Sequence, residues 1–478
     1  MLGRPFLVPF LVGFAAVLAG TSSVTAADGK REIKPRVFVL TDISNEPDDE
    51  QSLVRFLVYT NEFDVEGLVA TTSTWLRNRT REDIIRRFIG AYGEVRPNLL
   101  RHAPGYPTTE QLLAVTGTGQ PGYGMAAVGK DKSSAGSKLL IKAIDKDDER
   151  PLWVAVWGGP NTLAQALSDM RATRSAEELK RALAKVRAYT ISDQDDSGPW
   201  IRKEFPDLFY IVSPSSPRGN QGYARATWTG ISGDRFYKNG PMAHFDLVSN
   251  PWLEENVIKN HGPLGALYPK VRFIMEGDTP SYLGLINNGL GWHVSPAYGG
   301  WGGRYVLDQP DGEPRPIWTN NNNESRDTVT TPDGKTETSD FATVWRWRQH
   351  YQHDFAARMN WCVADEYRKA NHNPTAVLNG DRSKNVLSLT AKSGSTVKLS
   401  AEGTSDPDET SVKVTWWVYT EAGTLKAGVT LTKSDGLTTE VVLPKVTKPG
   451  SVHVLLQAED GGTPKLWSYR RAVIDVNP

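Results

Sequence analysis

Cysteine is nearly absent from this chain of 478 residues, because Cys362 is the only one. No internal disulfide can form, and metal clusters built from several cysteines are excluded. Cys362 lies in a segment with a helical pattern, where we expect a buried, inert thiol. Stability must therefore come from packed cores, together with any metal that the protein binds.

The chain also lacks an excess of charge of either sign, with 55 basic and 55 acidic residues. No block of lysine and arginine is present, which argues against a nucleic-acid partner. A phosphate-binding P-loop and the Gly-x-Ser-x-Gly turn of many serine hydrolases are absent as well. Tryptophan, by contrast, is abundant at 15 residues, and it either fills cores or stacks on sugar rings.

Long apolar runs are confined to the N-terminus. Residues 1–26 have the pattern of a signal peptide, with Arg4 before an apolar stretch, Phe6 to Ala19, and small residues up to Ala26. No later segment has 18 apolar residues in a row, so we expect no membrane span once the signal is removed. The sequence predicts a secreted or periplasmic protein, with an uncleaved anchor as the alternative.

The rest of the chain divides into two regions of different pattern. Residues 33–372 alternate strand-like and helix-like segments, which predicts an α/β domain with a mostly parallel sheet and flanking helices. Within it, the Gly-, Pro- and Asn-rich residues 287–338 are expected to form a loop or lid. After a predicted linker at 371–374, residues 375–478 have the pattern of an Ig-like β-sandwich. The predicted strands of the α/β domain are Val37–Leu40, Val65–Ala70, Leu152–Trp157, Val186–Ile191, Leu208–Val212 and Val271–Met275.

An acidic loop follows the first predicted strand. Asp42 stands at the strand end, and Asp48 and Asp49 come just before a helical pattern. Pro47 suits the first helical position, and the helix dipole favours acidic residues in the first turn. Helix capping alone could therefore explain Asp48 and Asp49, but it does not explain Asp42.

A second acidic turn follows the predicted strand Val271–Met275. Asp278 lies in it, and its alternative role is to cap a helix that begins at Pro280. The carboxyl ends of parallel strands share one edge of a sheet, so we expect Asp278 near Asp42 and Asp49. Carboxylates that converge in this way repel one another unless a cation or protons offset them, and a hard cation with oxygen ligands is the simplest explanation.

These motifs resemble the opening of nucleoside hydrolases, which cleave N-glycosidic bonds with a calcium ion. The full pattern more closely resembles a bacterial family of cellulose-binding proteins that have a nucleoside hydrolase-like domain and an Ig-like C-terminal domain. The matching stretches are Asp42–Asp49, Trp157–Thr162, His261–Ala266, Glu276–Ser281, Gly299–Arg304 and Trp345–Arg348.

The resemblance implies a role for each residue of the acidic edge. Asp42 would be a calcium ligand and the general base, and Asp48 would hold a sugar hydroxyl. Calcium would also be bound by Asp49, the carbonyl of Trp157 and Asp278. A water oriented in this way, with a carboxylate base, attacks a sugar carbon that carries oxocarbenium-like charge.

The chain departs from the nucleoside hydrolase pattern at three places. Five residues, not three, separate Asp42 from the aspartate pair, and Leu40 replaces an acidic residue. Gly277 stands where many of these enzymes have a histidine that serves the leaving base. We therefore expect a substrate other than a purine or pyrimidine nucleoside, or a site without catalysis.

Further residues could contact the substrate, each with a structural alternative. Asn78 could reach it from the loop after the second strand, which could equally be a solvated loop. Trp200 follows Asp193, Asp195 and Asp196 after another strand, and an ordinary turn is the alternative for that group. Trp301 and Arg304 could cover a sugar by stacking and hydrogen bonding.

Three functions are compatible with the sequence. The first is a calcium-dependent hydrolase of N- or O-glycosidic bonds, which the acidic edge favours. The second is a non-catalytic carbohydrate-binding protein, with cellulose as a candidate ligand, on the same scaffold. The third is an adhesion or scaffold protein, which only the Ig-like region favours.

Overall fold

The computed structural model describes residues 34–44, 46–214, 231, 244–320, 323–331 and 334–478. The predicted signal peptide lies outside the described residues. Within these ranges, no helix combines the length and the hydropathy that a membrane crossing requires. The strands are β1 Arg36–Thr41, β2 Asp64–Ala70, β3 Thr116–Thr118, β4 Leu152–Val156, β5 Val186–Thr190, β6 Phe209–Ile211, β7 Val306–Asp308, β8 Ile317–Thr319, β9 Asp327–Thr330, β10 Thr336–Ser339, β11 Leu387–Lys392, β12 Thr396–Ser400, β13 Lys413–Val418, β14 Thr430–Leu431, β15 Thr438–Val442, β16 Gly450–Glu459 and β17 Trp467–Asn477.

The α-helices all lie in the first region of the chain. Short 3-10 turns and one π-helical turn, Glu254–Ile258, occur between them. The α-helices are α1 Pro47–Val58, α2 Glu82–His102, α3 Thr109–Ala114, α4 Ala135–Asp145, α5 Asn161–Thr173, α6 Ala176–Lys185, α7 Ser197–Glu204, α8 Asn250–Leu253, α9 Gly262–Ala266, α10 Pro280–Leu283, α11 Ala342–Trp345 and α12 Arg348–Trp361.

The central sheet confirms the predicted α/β fold. Its strand order is β3-β2-β1-β4-β5-β6-β8-β7, and every neighbouring pair is parallel except β7 with β8. All residues of β1 are buried. Val37 and Val39 belong to one apolar core, and Phe38 and Leu40 to the other, because alternate residues of a strand face opposite sides. The ends of β2, β1, β4 and β5 consequently form one edge.

The segment Val271–Met275 is irregular, so the prediction of a strand there is wrong. Phe273 is 46% exposed, and the Val271 N–H donates to the side chain of Asn250 (2.8 Å) rather than to a neighbouring strand. The sheet position beyond β6 is occupied by β8, which pairs through Ile211 and Trp318. The apolar pattern of the segment reflects packing under the sheet edge.

The predicted loop or lid, residues 287–338, contains regular structure. It contributes β7 and β8 to the central sheet, and β9 and β10 form a separate hairpin. Gly/Pro/Asn-rich stretches separate these short strands and hid them from the sequence pattern. The prediction of a structureless lid is therefore wrong for this part of the segment.

The C-terminal region is a β-sandwich, as predicted. One sheet has the order β11-β17-β16-β13 and the other β12-β15-β14, and their inner faces enclose a core that includes Trp416, Val454 and Ile474. The strands β11 and β17, which pair in parallel, did not stand out in the sequence. The two layers account for the alternating apolar and polar residues of the region.

The joint between the two regions is buried, so the prediction of a linker at 371–374 is wrong. Asn371 donates to Asp460 of the sandwich (2.6 Å), and His372 is 5% exposed. Arg471 of β17 donates to the carbonyls of Leu290 (2.6 Å) and Gly299 (3.0 Å) in the α/β region. The α/β core extends into the sandwich through Tyr419, Leu455, Trp467 and Tyr469.

Candidate metal and active site

Asp42 lies at the carboxyl end of β1, directly after the strand. The residue is 4% exposed, and Oδ1 has no hydrogen-bond partner. A Cβ on Gly158, which follows β4, would approach this oxygen closer than 3.0 Å. The neighbouring strand end therefore needs a glycine to leave room for the carboxylate.

Asp48 and Asp49 reach the same edge from the first turn of α1. Pro47 begins the helix, and the side chain of Glu46 before it makes no capping hydrogen bond. The hydroxyl of Thr41, at the end of β1, donates to Asp49 Oδ1. Both aspartates are buried, whereas a carboxylate that only favours the helix dipole needs no burial.

Asp278 comes from the turn before α10 and does not cap that helix. Glu276, two residues earlier, has a left-handed φ of 49°, which is costly for a residue other than glycine. Its carboxylate is buried against Arg55 of α1, with Nη2 3.0 Å from Oε1, and Thr279 also donates to it (2.7 Å). These bonds hold the strained turn and aim Asp278 at the edge.

Three of the carboxylates form one compact group. One oxygen from each of Asp48, Asp49 and Asp278 lies within 4.8 Å of the other two. Asp48 gains this position because Gly277 has no side chain, since a Cβ there would approach Asp48 Oδ2 closer than 3.0 Å. The glycine that replaces the expected histidine thus gives Asp48, predicted to bind sugar, a place beside the predicted metal ligands.

Burial of these carboxylates is unfavourable while they are negatively charged. Burial, followed by the charges of Glu46 and Glu50, raises the pKa of Asp42 to about 7. Burial also raises the pKa of Asp49 and of Asp278 well above the usual value, and the neighbouring carboxylates add to both shifts. Without a counter-charge the site must hold protons.

The donor set fits a calcium ion. Calcium prefers oxygen ligands at about 2.4 Å, so ligands on opposite sides of one ion are at most about 4.8 Å apart. The group formed by Asp48, Asp49 and Asp278 meets this limit. The unpartnered Oδ1 atoms of Asp42 and Asp48 are further buried acceptors, and buried acceptors without donors are costly unless a cation or proton completes them.

Trp157 follows β4 and is fully buried. Its carbonyl, the predicted main-chain ligand, accepts a hydrogen bond from Gln194 Nε2 (2.6 Å), and its indole donates to Ser281 (3.0 Å). A carbonyl oxygen has a second lone pair. The ligand role of Trp157 therefore stays a prediction: its carbonyl oxygen would bind the ion with the lone pair that Gln194 does not use.

Asp195, which the sequence favoured as part of an ordinary turn, also lies at this edge. Its Oδ1 accepts from the backbone N–H of Ser197 (2.8 Å) and from the Ser197 hydroxyl, as a turn requires. Its Oδ2, however, is buried and has no partner. A Cβ on Gly159 would approach that oxygen closer than 3.0 Å, so Asp195 faces the end of β4 beside Asp42.

Two residues predicted to cover a sugar lie in the core. Trp301 is 2% exposed and packs edge-to-face with Tyr351 and Tyr469. Arg304 pairs with Asp327 (2.7 Å), and its other nitrogens donate to backbone carbonyls. The structure therefore contradicts a substrate-stacking role for Trp301 and a substrate-binding role for Arg304.

The other predicted substrate residues differ in their surroundings. Trp200 is half-buried and packs against Phe205 at 5.7 Å between ring centroids and against Arg171, and its contact with substrate stays a prediction. Asn78 is exposed on the loop after β2, and its contact with substrate stays a prediction. Beside it, Arg77 lies over the ring of Tyr123 (4.6 Å).

Comparisons with known proteins agree with this architecture. Residues 36–305 match the family described as cellulose-binding Sde182, nucleoside hydrolase-like domain. Residues 396–476 match the family described as cellulose-binding protein Sde0182, C-terminal domain. No protein with curated annotation gives a significant match.

One solved structure is similar over nearly the whole chain. It is a nucleoside hydrolase-related hypothetical protein from Saccharophagus degradans, described as associated with carbohydrate metabolism. The two are 37% identical with a TM-score of 0.79, and the match covers 93% of this chain and 100% of that one. The effector protein XOO4466, at 9% identity and a TM-score of 0.34 over 60% of this chain and 87% of that one, is too distant to support an inference.

The first family match spans more than half of the sequence, and the second covers most of the sandwich. The solved relative shares both regions with this chain. The chain therefore belongs to the Sde182 family, which is described as cellulose-binding and has a nucleoside hydrolase-like domain.

Proposed function

We propose that this protein is an exported, calcium-dependent hydrolase of glycosyl bonds. The observation that carries the proposal is the group formed by Asp48, Asp49 and Asp278, with the unpartnered Oδ1 of Asp42 beside it. A purely structural acidic cluster would be expected to have its oxygens satisfied by donors of the protein. Here buried acceptors converge at the sheet edge where α/β enzymes bind ligands.

The residues of the site divide the work as follows. Asp49 and Asp278 would hold the ion, Asp48 would complete the group, and the ion would supply an oriented and more acidic water molecule. Asp42 takes a proton from this water as the oxygen attacks the sugar carbon. Thr41 and Ser52 fix Asp49 and Asp278 through hydrogen bonds.

A carbohydrate is the substrate class that the family supports. The matched families are described as cellulose-binding, and the solved relative as associated with carbohydrate metabolism. Gly277 in place of a histidine removes the residue that serves a nucleobase in many nucleoside hydrolases. We therefore propose a glycoside or oligosaccharide, not a nucleoside, as substrate.

The second candidate is a carbohydrate-binding protein that keeps the ion without turnover. The family description favours it directly. Binding of calcium does not separate the two functions, because a binding protein could use the same carboxylates to order its surface.

The test compares the wild type with Asp42→Asn on glycosides, oligosaccharides and nucleosides, with calcium or with a chelator. Asp435→Asn, at an exposed position of the sandwich, is the matched control. We expect sugar release by the wild type and the control that requires calcium, and a loss of about 100-fold or more in Asp42→Asn.

The binding function has a separate measurement, which is depletion of the protein from solution by insoluble cellulose. Binding by wild type and Asp42→Asn alike, with no sugar released from any compound, would favour the binding protein. Turnover that survives in Asp42→Asn would show that another group is the base.

A further inference from the structure

The turn that Asp195 occupies explains the position of only one of its two carboxylate oxygens. Its Oδ1 is held by Ser197, which is the usual use of an aspartate in such a turn. Its Oδ2 is buried without a partner, in a residue that is 5% exposed. A buried acceptor of this kind is costly, so its retention points to a function.

Asp42 and Asp195 lie against consecutive glycines after β4. Asp42 lies against Gly158 and Asp195 against Gly159, and a Cβ at either glycine would overlap the carboxylate beside it. The strands β1 and β5 flank β4, and two sheet spacings amount to about 10 Å. Consecutive Cα atoms are about 3.8 Å apart, so the two carboxyl groups lie against the same short stretch of backbone, as an acid and a base that act on one bond require.

A hydrolase at this edge needs a proton for its leaving group. Gly277 supplies none, and the three aspartates of the compact group would be taken up by the ion. Asp195 lies outside that group, at the same edge and with a free oxygen. It is a suitable source of the proton on the described part of this edge.

We infer that Asp195 is the general acid that protonates the leaving oxygen of an O-glycoside, opposite the base Asp42. This inference rests on the proposed hydrolase function and specifies its substrate class. A carboxylic acid is a suitable donor to an ether oxygen, which becomes an alkoxide if it leaves unprotonated.

Asp42 and Asp195 together account for every proton transferred in the reaction. The water oxygen forms a bond to the anomeric carbon, and one water proton passes to Asp42. The bond from the anomeric carbon to the leaving oxygen breaks, and the proton of Asp195 passes to that oxygen, giving an alcohol. Asp42 then releases its proton to solvent and Asp195 regains one, so no oxidant or co-reactant is consumed.

The environment of Asp195 supports this role. Burial, with a smaller contribution from the charges of Asp196 and Asp193, raises its pKa to about 6 against the hydrogen bonds from Ser197, which lower it. The neighbouring backbone at Gly159 carries no titratable side chain. An acid with this pKa holds its proton at mildly acidic pH and loses it as the pH rises.

The experiment uses pairs of glycosides that share one sugar and differ in the leaving group, dinitrophenol or methanol. Dinitrophenolate leaves without protonation, whereas methoxide does not. In Asp195→Asn we expect kcat/KM for the methyl glycoside to fall by about 10²–10⁴-fold, and that for the dinitrophenyl glycoside by less than about tenfold. Asp435→Asn, the control at an exposed position of the sandwich, should alter neither kcat/KM value.

The pH profile provides a second readout that a structural role would not produce. For the wild type and the methyl glycoside in saturating calcium, which would keep Asp42 ionised, kcat/KM should fall as the pH rises through about 6. This limb should be absent in Asp195→Asn. Equal losses on both substrates, or none, would overturn the inference and leave the hydrolase function standing. If the wild type released sugar from no glycoside, the hydrolase function would fail and this inference with it.

Discussion

Gly277 shows how one missing side chain determines which carboxylates can meet. A Cβ at this position would overlap Asp48 Oδ2 and approach Ile274. The glycine has no left-handed φ among those recorded for the chain, so its role is to leave space and not to allow an unusual backbone. Asp48 occupies the space that a histidine would need.

Replacement of Gly277 by alanine tests whether the absence of a side chain there makes room for Asp48. We expect Gly277→Ala to push Asp48 away from Asp49 and Asp278 and to weaken calcium binding by about 10–100-fold, as loss of supporting contacts does at other metal sites. Isothermal titration calorimetry would measure the change.

Gly117→Ala in β3 is the matched control, because nothing lies within 4 Å of a Cβ there. Its calcium affinity should equal that of the wild type. An unchanged affinity in Gly277→Ala as well would mean that Asp48 does not contribute to the ion site.

At the residue scale the sequence predicted the location of a side chain well where that side chain directly follows a buried strand. Asp42 and Asp49 follow a buried strand, so their place at the edge could be predicted. Trp301 was misjudged because a Gly-rich loop can be either exposed or packed under a second domain. Asp195 was undervalued because a turn explains one of its oxygens, and the burial of the other oxygen is visible only in the folded protein.

The pair of Arg55 and Glu276 joins two elements that carry the site. Arg55 lies on α1, which supplies Asp48 and Asp49, and Glu276 lies in the turn that supplies Asp278. Both side chains are fully buried, and Tyr268 also donates to Glu276 (2.8 Å). The pair therefore fixes the helix and the turn relative to each other.

Removal of this charge should destabilise the protein strongly. In Glu276→Gln the guanidinium of Arg55 stays buried without a counter-charge, which costs about 3–5 kcal/mol of unfolding free energy. Urea denaturation would measure it. Glu366→Gln, which breaks an exposed pair with Arg368, should leave the urea midpoint of unfolding unchanged. A similarly small effect of Glu276→Gln would show that the pair of Arg55 and Glu276 does not hold the turn.

At the element scale the sequence predicted long, fully buried strands well and short edge strands poorly. The apolar runs of β1, β2, β4 and β5 are typical of a parallel sheet buried on both faces. The short strands β7 and β8 have no such pattern, since they form through tertiary pairing, β8 with β6 and β7 with β8. Val271–Met275 shows the converse, where apolar residues pack without joining a sheet.

The whole molecule should respond to calcium and pH together. The pKa of Asp42 is about 7 in the folded protein against 3.8 for an ordinary aspartate, and Asp49 and Asp278 shift the same way. The folded state therefore binds more protons than the unfolded state, and the unfolding free energy falls as the pH rises from about 4 to 7. Calcium bound at the proposed site would remove this loss by balancing the charge.

We expect calcium to raise Tm more at about pH 8 than at about pH 5, where protons already neutralise part of the site. Differential scanning fluorimetry with calcium or a chelator would measure the two shifts. The double variant Asp49→Asn/Asp278→Asn should show no calcium shift at either pH. A shift of equal size at both pH values would contradict a site that exchanges protons for the ion.

The buried joint predicts that the two regions unfold together. Tyr469 and Trp467 of the sandwich belong to the core of the α/β region, and Tyr419 donates to Asp327 (2.5 Å) across the joint. Differential scanning calorimetry should therefore show one transition, with equal calorimetric and van't Hoff enthalpies. Two separate transitions would show that the sandwich is stable on its own.

The same joint limits how this protein can be taken apart. A sandwich cut at residue 375 and fused to another enzyme would carry Trp467 and Tyr469 on its surface, where they would promote aggregation. The region is thus a poor interchangeable tag for directing unrelated catalysts to plant fibre. Protein engineers would have to redesign that face first, or transplant the entire polypeptide from Lys34 onward.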